Sequence, residues 1–223
     1  MIDDGSVVGR LRFSADWIRG FAAEPLSTVS VYRQESPGRR RIENYLERAY
    51  GRVFDGRIGQ HFPNLVGLQN RRGEVTAALG FRLAGQDKPY LERYLDEPVE
   101  TAVGRALGEP VDRDRIVEVG NLAAHGQGAS LVLFLAAANH LQQLGCSHAV
   151  ATATRQLRRS FARVGFSTSL LGRADAARAG ESAHWGTYYH RDPEVVAGSI
   201  AAAMPALIGM LGRGPSISKG HLQ

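Results

Sequence analysis

The sequence predicts an α/β fold, a mixed sheet with helices on both faces. Two observations lead there. A hairpin signal (65–84) is followed by an alternation of strand, helix, strand, helix and strand from residue 116 onward, an order that places helices against a sheet. The segment 130–144 is apolar almost all round, so it is a helix covered on every side. The 223 residues are enough for one domain with a modest extension, and 43 % hydrophobic with 22 % charged is ordinary globular composition.

Residues 1–26 show no period and read as a loosely attached N-terminal arm. Thr28 to Tyr32 is a short strand and 34–38 a turn. Ile42, Tyr45, Leu46, Ala49, Tyr50 and Val53 recur at helical spacing, giving an amphipathic helix over 39–54 with Arg41, Glu47, Arg48 and Arg52 on its solvated face. Leu65 to Leu68, a turn at 70–73, and Val75 to Ala84 form the hairpin. Pro98 opens a helix that Gly108 ends, and the acid of 94–100 complements its dipole. Ile116 to Ala124 is a central strand, and 126–129 a break before the buried helix, which Gly145 stops. Ser147 to Thr154 is a strand, Leu157, Phe161 and Val164 mark a short helix, and Phe166 begins another extended run. Trp185 to His190 is rich in strand formers. Asp192-Pro193-Glu194 has the cap, N1 proline and acid of a helix start, and Pro205 breaks that last helix. The domain therefore spans 27–192, followed by a C-terminal helix and tail over 193–223.

The formal charge is +5, but all basic residues except Lys88 and Lys219 are arginine. Such a bias is characteristic of coding composition, and the charge is set aside as a sign of nucleic-acid binding. The single cysteine, Cys146, excludes an internal disulfide and zinc sites built of cysteine pairs; the seven histidines form no metal spacing. Residues 1–5 are acidic and no secretory signal follows. The longest apolar run, Leu131 to Ala138, is far short of the ~20 residues of a membrane span. A cytoplasmic protein without a metal is expected.

Three features carry chemistry. Glu118 lies inside an apolar strand, and burying a carboxylate costs several kcal/mol unless it is paired or neutral. It is either half of an ion pair with Arg82, itself inside an apolar strand, or a general base of raised pKa able to take a proton from an amine. Gly126, Gln127, Gly128, Ala129 and Ser130 join a strand to a helix N-terminus, either as a plain turn or as a cradle of backbone N–H groups for phosphate. Arg155, Arg158, Arg159 and Arg163 crowd one short helix, as a solvated face or as a contact for phosphate or an acidic carrier protein.

Phe62-Pro63-Asn64-Leu65, Leu91-Glu92-Arg93-Tyr94-Leu95-Asp96-Glu97-Pro98-Val99-Glu100, Ile116-Val117-Glu118-Val119-Gly120-Asn121-Leu122-Ala123 and Trp185-Gly186-Thr187-Tyr188-Tyr189, in that order, resemble the thermostable hemolysin family over residues 40–200. The layout also resembles the GNAT N-acyltransferase fold and, within it, the acyl-homoserine-lactone synthases. The resemblance implies a mostly antiparallel mixed sheet whose 116–124 strand splays from 147–154 to admit a pantetheine arm, with Thr154 to Phe166 closing the core. It implies acyl transfer from a phosphopantetheine thioester, on acyl-carrier protein or acyl-CoA, to the amine of a small metabolite. Glu118 falls where the lactone synthases carry a strand glutamate. Backbone N–H groups of Val119, Gly120, Asn121 and Leu122 would stabilise the oxyanion, and 126–130 would hold phosphate. Two departures stand out. Ala123 occupies the head of the phosphate loop in place of Gln or Arg, which leaves room for a carrier-protein donor met by Arg155, Arg158 and Arg159. Phe161 lies where a tyrosine acid is common, which makes Tyr188 or Tyr189 the candidate acid. The alternatives are a membrane-active protein lying on a bilayer through Val195 to Leu211 and a carrier-binding module without turnover.

Overall fold

The computed structural model describes residues 28–125, 128–180 and 182–212. The expected arm (1–26), the loop residues Gly126 and Gln127, and the tail beyond 212 lie outside them.

Seven strands form one sheet: β1 (Thr28–Tyr32), β2 (Asn64–Gln69), β3 (Val75–Leu83), β4 (Ile116–Ala124), β5 (His148–Ala153), β6 (Ser169–Arg173) and β7 (Glu194–Ser199). Their spatial order is β1-β2-β3-β4-β5-β7-β6. Every pair is antiparallel except β4–β5. Among the described residues, five α-helices cover the sheet: α1 (Arg39–Phe54), α2 (Val99–Leu107), α3 (Ala129–Gln143), α4 (Arg155–Arg163) and α5 (Ile200–Gly212).

The strand alternation separates two cores. Ile116 packs with Leu91, Val99 and Val103 on the α2 side, while its neighbour Val117 packs with Leu133, Ala136 and Ile200 under α3 and α5. Helix α1 buries Ile42 and Leu46 completely against Leu65 and Ala78, each contributing about 1.5–3 kcal/mol. Val53, last of the expected stripe, is instead exposed. The chain leaves α2 at Gly108 (φ 76°) and passes Gly145 (φ 87°) after α3, a backbone sign that glycine adopts without strain.

Three expectations fail between residues 185 and 205. Trp185 to His190 is not a strand. Ser182–Trp185 and Tyr188–Arg191 are 3₁₀ turns, in which the aromatic rings pack on one another instead of on a sheet. Asp192-Pro193-Glu194 does not start a helix. Asp192 is left-handed (φ 51°), and Glu194–Ser199 is strand β7, inserted between β5 and β6. Val195, Val196 and Ala197 are buried on both faces of the sheet, a gain of apolar burial that outweighs the local helix-start signal. The boundary expected at 193 thus precedes a strand interior to the sheet. Pro205 does not end α5 but lies within it. The backbone N–H it lacks would have bonded the carbonyl of Ala201, which is exposed and open to water.

Candidate active site

Strands β4 and β5 pair only through Ile116↔His148, Val117↔Ala149 and Glu118↔Val150. Beyond Glu118 the ladder stops, although β4 runs on to Ala124 and β5 to Ala153. At the same place β4 carries an extra residue. The β3 register passes from Gly80↔Gly120 to Ala78↔Ala123, so two steps on β3 face three on β4. Asn121 takes up the excess with φ 49°, as bulges do. The face parity shifts with it. Val119 and Leu122 pack under α3, whereas Ala123 returns to the α1 side. Gly120 and Asn121, adjacent in sequence, both line the α1-side cavity that opens in the splay.

That cavity has a volume of about 690 Å³, within the range of small-molecule sites. The four segments that carry the family resemblance converge on it. From the first comes Phe62, whose ring fills the space a side chain at Gly120 would need, with an ideal Cβ only 2.7 Å away. The second supplies Tyr94, preceded by Tyr90, and the third Glu118 to Asn121. The last supplies Trp185, Tyr188 and Tyr189. Residues 182–191 are stitched to the end of α1: Thr187 N–H donates to Phe54 O (2.7 Å) and Arg57 N–H to His184 O (2.6 Å). Gly186 lies against the Phe54 carbonyl with φ 53°. No other residue fits there.

Glu118 is 3 % exposed. Its Oε2 accepts Tyr90 N–H (2.8 Å) and its Oε1 accepts Leu91 N–H (2.9 Å), which fixes the 3₁₀ turn Tyr90–Tyr94. Arg82, its direct cross-strand neighbour, lies 3.9 Å away and donates to Lys88 O. The sequence pairing of Glu118 with Arg82 is therefore present, but two backbone donors are the closer partners. Burial pushes the Glu118 pKa above the ordinary carboxylate value, against the pull of those N–H groups and of Arg82.

Both candidate acids line the cavity. The Tyr188 hydroxyl is committed to Thr152 O (2.9 Å) on the splayed strand, and burial raises its pKa well above the usual phenol value. Tyr189 shares a 2.6 Å hydrogen bond with Tyr94, and burial raises both. Such phenols hold their protons at neutral pH and act as hydrogen-bond donors. The sequence marks Tyr94 through the family stretch 91–100 and an acidic, dipole-balancing segment over 94–100, not as a site residue. Glu100 of that segment and Glu92 just before it hold Arg113, and Glu92 also caps the Val99 N–H.

Asn121 is 5 % exposed, and its side-chain Nδ2 has no hydrogen-bond partner. Of the expected phosphate loop, Gly128 (φ 78°) is the N-cap of α3, and Ala129 and Ser130 form its first turn, with no side chain capping it.

The three arginines separate. Arg158 is half-buried and bound to Glu194 (3.1 Å), Ala153 O and Asp192 O, so it ties α4 to β7 and is no free contact. Arg155 pairs with Asp192 at 3.0 Å, and Arg159 is exposed.

A second, apolar cavity of about 70 Å³ lies on the other side of β4, among Phe134, Ala138, Ala151, Phe161, Phe166 and Leu207. Val119 lines both cavities.

The sequence pattern of the thermostable hemolysin family matches residues 32–204. The chain belongs to the thermostable hemolysin family. In this member the splayed sheet is the GNAT-like fold of the acyl-homoserine-lactone synthases. The synthase LasI superposes with a TM-score of 0.57 at 17 % identity, over 82 % of this chain and 95 % of LasI. The CoA-dependent lactone synthase BjaI, solved with SAM and isopentyl-CoA, gives 0.56 at 14 %, over 86 % and 92 %. FeeM, an N-acyl amino acid synthase from uncultured soil microbes, gives 0.53 at 14 %, over 79 % and 93 %. A search of curated proteins returned no match. Among the described residues no helix is long and apolar enough to cross a membrane, and no three His, Cys, Asp or Glu side chains gather as metal ligands.

Proposed function

We propose that this thermostable hemolysin family member is a cytoplasmic acyltransferase that moves an acyl group from a phosphopantetheine thioester to the amine of a small metabolite. The carrying observation is the splay of β4 from β5 beyond Glu118↔Val150, which opens a largely aromatic cavity with a buried carboxylate on its wall. The pantetheine arm enters this gap, and the acyl chain passes Val119 into the apolar cavity under α3. The acceptor occupies the larger chamber among Tyr90, Tyr94 and Trp185.

The neutral amine attacks the thioester carbonyl carbon, the C–N bond forms and the C–S bond breaks. Glu118 takes the amine proton. Its two backbone donors each use one lone pair of a carboxylate oxygen, and the remaining lone pairs are open to that proton. The raised pKa brings its basicity closer to that of the amine it serves. The pantetheine thiolate departs, helped by hydrogen bonding from the Tyr94–Tyr189 pair. Backbone N–H groups of β4 between Val119 and Leu122 that point away from β3, into the gap left by β5, face the developing oxyanion. The first turn of α3, at Gly128 to Ser130, faces the phosphate.

The donor is acyl-carrier protein or acyl-CoA. Arg155 and Arg159 remain the carrier contacts, and attraction through them weakens as salt screens it over ~10 Å. The test offers octanoyl-CoA and octanoyl-carrier protein with a panel of primary amines, reading thiol release and amide product by mass spectrometry. Release of thiol with amide formation is expected. Absence of both, with every donor, overturns the reading. The membrane-active alternative loses the first part of its apolar stretch 195–211, which is the buried strand β7. It retains the uncharged α5, which exposes Ile208, and leakage of anionic vesicles without thiol release would favour it.

A further inference from the structure

A buried amide nitrogen without an acceptor costs the folded state free energy, so native proteins keep very few of them. Asn121 keeps one, in a left-handed backbone conformation that asparagine accepts more readily than most residues. That unpaired donor, on the wall of a cavity, calls for a partner that the protein itself does not supply. The bulge explains the placement. Without the extra residue, position 121 would follow the alternation and join Val119 under α3. With it, Asn121 shares the cavity face with Gly120, directly where β4 has left β5 and three residues past Glu118.

We propose that the Asn121 side-chain amide donates a hydrogen bond to the thioester carbonyl oxygen of the bound donor and strengthens that bond as the oxygen gains negative charge. This rests on the acyl-transfer reading and extends it. The oxyanion is held by a side chain as well as by backbone, and the ligand completes a donor that the protein's own groups leave unpaired. Of the charged donors on this wall, Arg82 turns one nitrogen to Lys88 O and faces Glu118, with its buried Nε unpaired, while Arg93 is drawn to Ala179 O and stacks on Tyr90. Asn121 is a neutral side-chain donor on the strand that leaves β5, and the protein's own groups leave its amide nitrogen unpaired.

The variants are Asn121→Gly and Asn121→Asp in the full chain. Glycine suits φ 49° and removes the orphan donor, so its melting temperature should equal or exceed that of the wild type. Aspartate keeps the size and loses the donor. With octanoyl-CoA as donor, both variants should lose ~10²–10³-fold in kcat, the usual effect of removing one oxyanion donor, with KM little changed. Isotope-edited infrared should show the bound thioester carbonyl stretch lowered in the wild type and restored in both variants. A lower melting temperature for Asn121→Gly, full turnover in either variant, or an unchanged carbonyl stretch would overturn the assignment and leave acyl transfer standing. A wild-type protein that neither binds nor cleaves octanoyl-CoA or octanoyl-carrier protein would overturn both.

Discussion

Glu118 and Asn121 stand three residues apart on one strand, both buried, both lining one cavity, and the fold treats them in opposite ways. Glu118 has a donor on each oxygen and a cation across the ladder. Asn121 has none for its amide nitrogen. A buried polar group that is fully partnered holds structure first, and any chemistry it does uses capacity left over. A buried polar group left unpartnered adds nothing to the folded state by itself, so its use lies with a ligand. The two residues should thus respond to mutation with opposite signs on stability while both lower activity.

The largest effect is expected at Glu118. Glu118→Ala strands two backbone N–H groups and Arg82, which should cost about 3–5 kcal/mol of unfolding free energy in chemical denaturation and release the Tyr90–Tyr94 turn. Glu118→Gln is no clean isostere, because its amide would turn a donor toward one of two N–H donors; about 1–3 kcal/mol is expected. If Glu118→Gln were as stable as the wild type, the contrast with Asn121 would break. The arginines of α4 give a smaller version of the same contrast. Arg158→Glu removes a guanidinium bound to Glu194 and two carbonyls and should cost about 1–3 kcal/mol. Arg159→Glu should stay within about 0.5 kcal/mol while lowering carrier-dependent turnover more than CoA-dependent turnover. Equal losses with both donors would return Arg159 to an ordinary solvated face.

Ala138→Leu, on α3, fills part of the 70 Å³ apolar cavity. Long-chain thioesters should lose about tenfold in kcat/KM relative to short ones, the scale set by one or two methylenes. No change in chain-length preference would remove this cavity from the acyl path. The smallest effect is a shift in pH dependence. Because burial raises the Glu118 pKa, the base form is populated only above the usual glutamate value near 4.3. The acid limb of kcat/KM should lie above that value and stay in place in Asn121→Gly. The corresponding stability term is fully present below the unfolded pKa and is lost as pH rises through the folded one.

The regular elements were legible because their signals are local. The period of Ile42 and Leu46, the apolar run 116–124 and the glycine stops at 108 and 145 each express one element's own geometry. Residues 185–199 were misread because their structure is decided from far away. Trp185 and Tyr188 have strand propensity, yet their segment is bound to Phe54. Asp192-Pro193-Glu194 has every mark of a helix start, yet the gap between β5 and β6 takes Val195 and Val196 as a strand. At the site, Glu118 and its neighbour Arg82 could be found as charges in apolar strands. The side chain of Asn121 could not, because its importance comes from a register shift against β3. Nor could Arg39, buried and donating to the carbonyls of Phe62 and Pro63, which looks like any other surface arginine in a basic helix.

The insertion of β7 between β5 and β6 also bears on how the protein is made. Ribosomes deliver β4 and β5 first, and β7 after another forty residues, which at 5–20 residues per second is a delay of about 2–8 s. Throughout that interval the nascent chain presents the unpaired edge of β5, with its buried-type residues Ala151 and Ala153, to whatever else is in reach. The cavity wall arrives in the same installment, since Trp185 to Tyr189 closely precede β7. The cavity is therefore incomplete until β7 is being delivered, and a stalled or truncated product lacking β7 is a candidate for chaperone capture.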